Sequence, residues 1–567
     1  MTANFALFYA GDAYSTEQKI MGRQSAGKSF LRGLALANPR APMYGVGTSP
    51  SGAQGLQRQL AQSGHQGAVH WSVLPDFNAA ASCGALYFPG PPTRDLAAAR
   101  NRLNPGAFGL MGLTHTVASK GATDAIADLV LPPFKPWDAL ICTSTAAHAF
   151  VTLLQEDMRH YWAEHTGATR FNPVLTPIIP LGINTADFHV SRDVGAENGT
   201  ASGHAASQAV ARSAMALGEA DVAFLFAGRL TFHAKANPAP VYQALQALAA
   251  TAPGQLVCIE AGVYPNEAIA QSYQAAQRAL APDVRFVWVD GADEAAYRQA
   301  WTAADVFLSL SDNIQETFGL TPVEAMAAGL PVVVSDWNGY KDTVRHGVDG
   351  FRIPSAAPPP CTGTDLALAH ALDLDNYDFY IGRTSLAVVV DPRELRLALN
   401  ALIEDPLLRR RMGQAGAVRA REQFDWQVVL PQYDTLAQEM AAIRERADQN
   451  AERASSWPPR EDPFRRFAHF PSATLQGAWA VALEPQALPR LQTLSGLHMS
   501  RYGLHETLLP PAHLQQLVDV LAAHGPMTAA ALLSTARLNT APGIRALMWL
   551  WKFAVVRVQG PAGPPHS

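Results

Sequence analysis

The sequence predicts an α/β fold: two doubly wound parallel domains, then a smaller, mainly helical module. Three observations predict it. Short apolar runs of strand length alternate with helical patterns from Phe5 to about Arg446, at the spacing of βαβ units. The alternation occurs twice, with an Ala-, Gly- and Ser-rich stretch from Ser191 to Leu217 between the rounds. A charged, then Pro-rich segment from Asp448 to Arg466 sets off the remainder. The boundaries that follow are 1–188 for the first domain, 189–446 for the second, 447–466 for a linker and 467–567 for the module.

The totals agree with a soluble globular chain. At 567 residues, 48% hydrophobic and 16% charged, there is room for at least two large cores. A net charge of −5 argues against a general nucleic-acid binder. Four cysteines, at 83, 142, 258 and 361, show no paired spacing and read as reduced, buried thiols of a cytoplasmic protein. Residues 1–30 lack the basic start and long apolar run of a signal peptide. No run reaches the roughly 18 apolar residues of a membrane span; Ala546 to Val558 is broken by Lys552 and Arg557.

In the first domain, Phe5–Ala10 reads as a buried strand, followed by a loop through Gly11, Asp12, Ser15 and Gly22, then a helix from about Ser25 to Ala37. The run Gly22-RQSA-Gly27-Lys28-Ser29 fits the phosphate-loop pattern, but no buried strand runs directly into it, as that motif requires. The better reading is a glycine-bearing loop whose backbone approaches a ligand, with Gly22 at its end. Lys19, Arg23, Lys28 and Arg32 add positive charge there, or form a solvated basic helix face. Further strands are expected at Met43–Val46, Val69–Val73, Ala85–Phe88, Phe108–Leu113 and Ala139–Thr143. His115 stands just past a strand's carboxyl end, where open parallel sheets bind ligands; a lone histidine there is otherwise a hydrogen-bonded surface or core group.

In the second domain a helix near Gln208–Ala216 precedes the apolar strand Val222–Phe226, which ends in Gly228-Arg229-Leu230, with Lys235 beyond. The Asn198-Gly199-Thr200 sequon is without meaning in a cytoplasmic protein. Strands at Leu256–Ala261 and Val284–Val289, a helix at Glu294–Ala303 and a strand at Val306–Leu310 lead to the most informative stretch, Gln315 to Tyr340. It reads as loop, helix and strand, with Thr321 as N-cap, Pro322 opening the helix, Gly329 and Pro331 ending it and Val332–Val334 as the strand. Glu316 and Glu324, eight positions apart, border one helix N-terminus. Free amides there, with Gly319 allowing close approach, make an anion site. The bland alternative is a capping box, Thr321-x-x-Glu324. Pro354–Thr364 reads as a surface loop, Asp391–Ala420 as two helices and Val428 to about Arg446 as a helix. Asp373-Leu-Asp375 has the form of a metal motif without supporting ligands.

Glu316, Phe318, Gly319, Glu324, Ala325, Gly329, Pro331 and Val332 together resemble the E-x7-E signature of retaining GT-B glycosyltransferases, specifically glycosyltransferase family four. Gly228-Arg229-Leu230 with Lys235 is similar to that family's G-R-L-x-x-x-K motif, with one residue more before the lysine. Pro177 to Phe188 resembles its interdomain hinge, Leu181 replacing the usual asparagine, and Gly347 to Phe351 its later glycine turn. The resemblance covers about residues 1–446 and implies a GT-B fold, two Rossmann-like domains facing a cleft. It implies a retaining hexosyl transfer from a nucleotide diphosphate sugar to an unidentified saccharide, lipid-linked or small acceptor, with no metal or other cofactor. Arg229 and Lys235 would neutralise the leaving diphosphate. Glu316, with the amides of Phe318, Gly319 and Leu320, would hold sugar and phosphate. Glu324 would hold the ribose and His115 would face the transferred sugar. Gly22, Gly228 and Thr321 complete the donor site. The alternatives are a glycoside phosphorylase on the same fold and a non-catalytic scaffold acting through the last module. Membrane contact would be peripheral at most.

The segment 467–567 reads as three helices and a strand: His513–Ala523, a short helix capped by Thr528, Ile544–Phe553 and Val555–Val558. It resembles a winged-helix domain. Met548, Trp549 and Trp551 on one helix favour packing or protein contact over DNA reading.

Overall fold

The computed structural model describes residues 4–14, 22–188, 202–447, 457–502 and 509–560. Lys19, Ser15, the Asn198 sequon and parts of both expected linkers lie outside these residues. The chain forms two compact units, Met1–Arg460 and Glu461–Ser567.

The first unit contains two six-stranded parallel sheets. Strands β1 (Ala6–Phe8), β2 (Met43–Gly47), β3 (Val69–Val73), β4 (Ala85–Tyr87), β5 (Gly109–Leu113) and β6 (Ala139–Ile141) run in the order β3-β2-β1-β4-β5-β6. β5 and β6 are buried along their whole length, as strands covered on both faces must be. Chain order reverses between β1 and β4, so the loops at the carboxyl ends of these two strands flank a crevice.

Helix α1 (Gly22–Ala37) follows β1. The whole phosphate-loop match is therefore helical. Gly22 is the first residue of α1, not part of the ligand loop expected. Packing explains the rest of the match: a Cβ on Gly27 would come within 2.1 Å of the Ala13 carbonyl oxygen. Ser29 Oγ accepts the indole N–H of Trp426 at 2.9 Å.

The second sheet consists of β7 (Val222–Ala227), β8 (Leu256–Gly262), β9 (Arg285–Asp290), β10 (Val306–Ser309), β11 (Val332–Ser335) and β12 (Gly350–Ile353), in the order β12-β11-β10-β7-β8-β9. Helix α2 (Leu320–Ala327) joins β10 to β11. After β12 the expected surface loop is exposed over 357–363, and an insertion follows it. The short strands β13 (Ser355–Ala356) and β14 (Val389–Val390) pair antiparallel and close off two helices, α3 (Thr364–Ala371) and α4 (Tyr377–Ser385). The aspartates of Asp373-Leu-Asp375 are engaged in this insertion, Asp373 with Lys120 and Asp375 with Arg383.

Helix α5 (Trp426–Arg446) leaves the second domain and lies on the first. Ile183 N donates to Phe424 O at 2.8 Å and Trp426 N to Ile183 O at 3.0 Å, tying the hinge segment to the start of α5. The indole of Trp426 fills a slot made by two glycines. A Cβ on Gly33 or on Gly182 would come within 2.5 Å of it. Leu181, where the family has asparagine, is core. Further along, the Tyr433 ring packs 5.6 Å from Phe30 and 6.0 Å from Tyr87, and Arg444 donates to the Gly84 carbonyl.

Of the cysteines, Cys142 and Cys258 are buried as expected, but Cys83 is half-buried and Cys361 is exposed; all four are free thiols. Cys361 lies in the polar loop before α3, outside any core. No helix among the described residues is long and apolar enough to cross a membrane.

The second unit is more mixed than three helices and a strand. It has a three-stranded antiparallel sheet, β15 (Ala480–Leu483), β16 (Met527–Thr528) and β17 (Val556–Gln559), in the order β16-β15-β17. Helices Ala487–Ser495 and His498–Arg501 precede Pro511–His524, Ala529–Thr535 and Ala541–Lys552. Thr528 caps its helix as expected, accepting from Ala531 N. Trp549 is a core residue, its indole N–H donating to Ser500 O at 2.8 Å.

Gly33→Ala should lower unfolding free energy by about 1–3 kcal/mol, the cost of overpacking a filled core. Gly121→Ala, with nothing within 4 Å of its Cβ, should be neutral or stabilising. Urea denaturation of both variants checks the contrast.

Candidate active site

The site is built on the loop between β10 and α2. Its course is fixed by side chains rather than by regular structure. Asn313 Nδ2 donates to His233 O at 2.6 Å and Gln315 Nε2 to Ala234 O at 3.0 Å. The Trp337 indole donates to Asn313 O at 3.0 Å, and Asn338 Nδ2 donates to Glu316 O. The loop also meets the first domain. Thr317 Oγ1 donates to His115 O at 2.9 Å, and Ser144 Oγ donates to Thr317 O at 2.6 Å. His115 thus stands beside the Glu316 loop.

Gly319 ends the loop with φ +95°, a conformation that glycine tolerates. A Cβ there would collide with the Tyr340 ring at 2.1 Å. Gly319 is the N-cap of α2, and no side chain caps the helix. Thr321 is therefore not the N-cap: it lies inside the helix, and the Thr321–Glu324 capping box is not formed. Pro322 likewise falls at the third helical position, not the first. With the box absent, the bland explanation of Glu324 is gone.

Four charged side chains converge beside this helix end. Lys235 Nζ lies 3.1 Å from Glu316 Oε2. The residue more in the Arg229–Lys235 loop, a departure from the family spacing, does not keep the lysine from the site. Gly228, at φ +141°, turns the chain out of β7. Arg229 follows, and among the described residues its buried Nε has no hydrogen-bond partner. Phe318 places its ring in the core against Phe424, 5.9 Å away, so only its backbone faces the site. That backbone is partly committed: the amides of Phe318 and Thr317 donate to the Glu316 carboxylate. Gly319 and Leu320 occupy the helix end, where amides have no intrahelical acceptor. Among the described contacts, none brings Gly22 to this group.

Environment separates the two glutamates. Burial alone would raise the Glu316 carboxyl, but Lys235 and the two amides outweigh it and hold it below the usual carboxylate range. Burial pushes Glu324 up to about 7, against the pull of Lys235. Burial also lowers the Arg229 guanidinium from its ordinary value, opposed by Asp378, Tyr377 and Glu316. Asp312, farther back in the loop, is pushed up to about 7 by burial, opposed by the amides of Asn237 and of Asp312 itself. The arrangement offers an anion two cations and a helix dipole, beside one fixed carboxylate and one that titrates near neutrality.

Sequence reading missed Tyr377, Asp378, Thr317 and Asn338. Asn338 has a φ of +46°, and its place in a Trp-Asn-Gly run after a strand is a local turn signal. Thr317 adjoins Glu316 in the chain, and Tyr377 and Asp378 lie far from the loop in sequence.

Residues 209–358, within the second domain, match the family model described as glycosyl transferases group 1. The phosphatidyl-myo-inositol mannosyltransferase of Mycobacterium leprae is 34% identical over 164 residues, 28% of this chain and 33% of the relative. The D-inositol 3-phosphate glycosyltransferase of Jonesia denitrificans is 29% identical over 170 residues, 30% of this chain and 29% of the relative. The chain thus matches about a third of the length of these curated relatives. Among solved structures, Anabaena HepE in complex with UDP aligns with a TM-score of 0.47 at 17% identity, over 78% of this chain and 99% of that one.

Glu324 gives a pH test. Its folded pKa lies above the ordinary carboxylate value, so between about pH 4.5 and 7 the folded state binds the extra proton. Stability from this group therefore falls as pH rises through that window. Glu324→Gln should flatten the fall, by about 1–3 kcal/mol at pH 7.5 relative to pH 5. Chemical denaturation of both proteins at the two pH values measures it; parallel profiles would remove Glu324 as a buried titrating group.

Proposed function

We propose that the chain is a retaining glycosyltransferase that moves a sugar from a nucleotide diphosphate sugar to a hydroxyl acceptor. One observation carries this reading: Arg229 and Lys235 meet Glu316 at the uncapped N-terminus of α2, within a group 1 glycosyltransferase domain. As the sugar–phosphate bond breaks, negative charge grows on the diphosphate. Arg229 would take it in a planar fork, Lys235 as a point charge, and the amides of Gly319 and Leu320 through the helix dipole. Donors fixed before the reaction need no reorganisation during it. The two side-chain cations supply the positive charge, so transfer is expected to survive chelation of metals.

Glu316, held ionised, would accept hydrogen bonds from the transferred sugar, and Glu324 would accept them from the ribose. The first domain contributes His115 on the sugar's other side, through the loop that Thr317 joins. Glu316 and Glu324 flank one helix end, not one sugar, which separates them from a glycosidase pair. Two curated relatives are named for inositol-based acceptors, which supports a polyol acceptor. Four free cysteines fit a reducing, cytoplasmic setting.

Thermal unfolding with UDP, GDP and ADP, each with EDTA, on wild type and Glu324→Ala tests the donor site. One nucleotide at about 100 times its Kd should add about 2.7 kcal/mol in wild type, and less in the variant. No shift with any nucleotide, together with sugar phosphate formed from a saccharide and inorganic phosphate, would replace this reading with a phosphorylase. Arg229→Ala should lower transfer by at least about a hundredfold; a loss under about fivefold takes Arg229 out of the reaction.

A further inference from the structure

Two bridges join the domains at the candidate donor site. The first is the Glu316 loop. Thr317 Oγ1 donates to His115 O and Ser144 Oγ donates to Thr317 O, and both Thr317 and Ser144 are buried. The second is the α3–α4 insertion. Its base is narrow: β13 and β14 pair through two residues each. On the second domain, α4 buries Ile381, Gly382 and Ser385. A Cβ on Gly382 would come 3.0 Å from His233 Cβ, in the Arg229–Lys235 loop. On the first domain, the turn between α3 and α4 meets the stretch just after His115. The hydroxyls of Thr116 and Tyr377 share a hydrogen bond of 3.3 Å. Lys120 Nζ donates to Ala371 O at 3.2 Å and pairs with Asp373 at 2.5 Å. The insertion thus runs from the loop of the two cations to the loop of His115, across the gap where the donor is read to lie.

The two bridges differ in strength. The Glu316 loop is held by buried hydrogen bonds, which are costly to leave unmade. The Lys120–Asp373 pair has side chains 39% and 85% exposed. A pair so exposed adds little to stability, and less in salt. α3 itself buries no residue, so little apolar contact holds it down. Its His370 stacks on Tyr380 of α4, ring centroids 4.5 Å apart, which ties α3 to the anchored helix. The weak link is therefore the contact of the turn with Thr116 and Lys120.

We infer that residues 371–377 form a clasp that shuts the donor cleft by fastening the insertion to Thr116 and Lys120, and that it must unfasten for nucleotide to enter or leave. This rests on the reading that Arg229, Lys235 and Glu316 bind a nucleotide diphosphate donor. Shut, the clasp keeps water from a sugar whose bond to phosphate is breaking. Being weak, it opens without unfolding either domain.

Hydrogen exchange of the ligand-free protein reads the clasp directly. Peptides covering 371–380 should exchange about two- to fivefold faster in Lys120→Ala than in wild type, the scale of an exposed ion pair. Asp373→Asn tolerates the φ of +57° at this position. It should act in the same direction, and the double variant should add little. The differences should shrink at high salt. Equal exchange in wild type and both single variants overturns the clasp.

Access is read on Lys120→Cys/Asp373→Cys in a Cys83→Ser, Cys361→Ser background. A reducible bis-maleimide joins the two positions, since it spans further than a disulfide can. The cross-link, followed by mass spectrometry, should form in the ligand-free protein; its failure to form overturns the clasp. Calorimetry with UDP, GDP and ADP in turn, each in EDTA, compares the cross-linked protein with the same protein after reduction. The reduced protein should bind one nucleotide. The cross-linked protein should bind it at least about tenfold more weakly, because its open fraction is small. Equal binding by both overturns the inference and leaves the donor reading standing. If neither wild type nor the reduced protein binds any of the three, the donor reading falls, and the role in nucleotide entry with it.

Discussion

A carboxylate removed from water must be paired, and the site is arranged around that demand at Glu316. Leaving it buried and unpaired would cost several kcal/mol or force it to take up a proton. Three donors meet it instead: the Lys235 ammonium and the amides of Thr317 and Phe318. Each donor constrains something else. Lys235 can reach Glu316 only if its long loop is held, which the side chains of Asn313 and Gln315 do by taking the carbonyls of His233 and Ala234. The amides can turn inward only if the chain reverses at Gly319 against Tyr340. Thr317, next in the chain, then ties the loop to the backbone of His115.

The same low-dielectric surroundings act differently on Glu324, one helical segment away. There burial outweighs the pull of Lys235, and the carboxyl titrates at about 7. Two identical side chains at one helix end thus differ in charge over much of the neutral range.

Much of this was legible in the sequence where the signal is local. The strand Val69–Val73 and the helix Glu294–Ala303 appear with the bounds expected, because an alternating run and the Asp293 cap define them. The Arg229, Lys235, Glu316 and Glu324 cluster was legible through the family pattern of the second domain. Misreadings arose where tertiary packing overrode local chemistry. Thr321-Pro322 has the look of a helix start, yet the clash with Tyr340 makes Gly319 the cap. Gly27 and Ser29 mimic a phosphate loop because one meets the Ala13 carbonyl and the other the Trp426 indole. The α3–α4 insertion was missed because its leucines face outward, Leu368 and Leu372 being 57% and 61% exposed, which erases the amphipathic pattern. No local signal marks Tyr377, whose partner Thr116 is 261 positions away.

The return of α5 also bears on how the chain comes to be folded. The aromatic core beside β1 is finished by Tyr433, and the slot between Gly33 and Gly182 by Trp426, whose indole bonds a serine 397 positions earlier. At roughly 5–20 residues per second of synthesis, the first domain waits tens of seconds for the helix that covers it. Until then it presents Phe5, Phe30 and Tyr87 without their final neighbour. The amino-terminal half is therefore the later of the two to reach its native packing, although it is the first to be made.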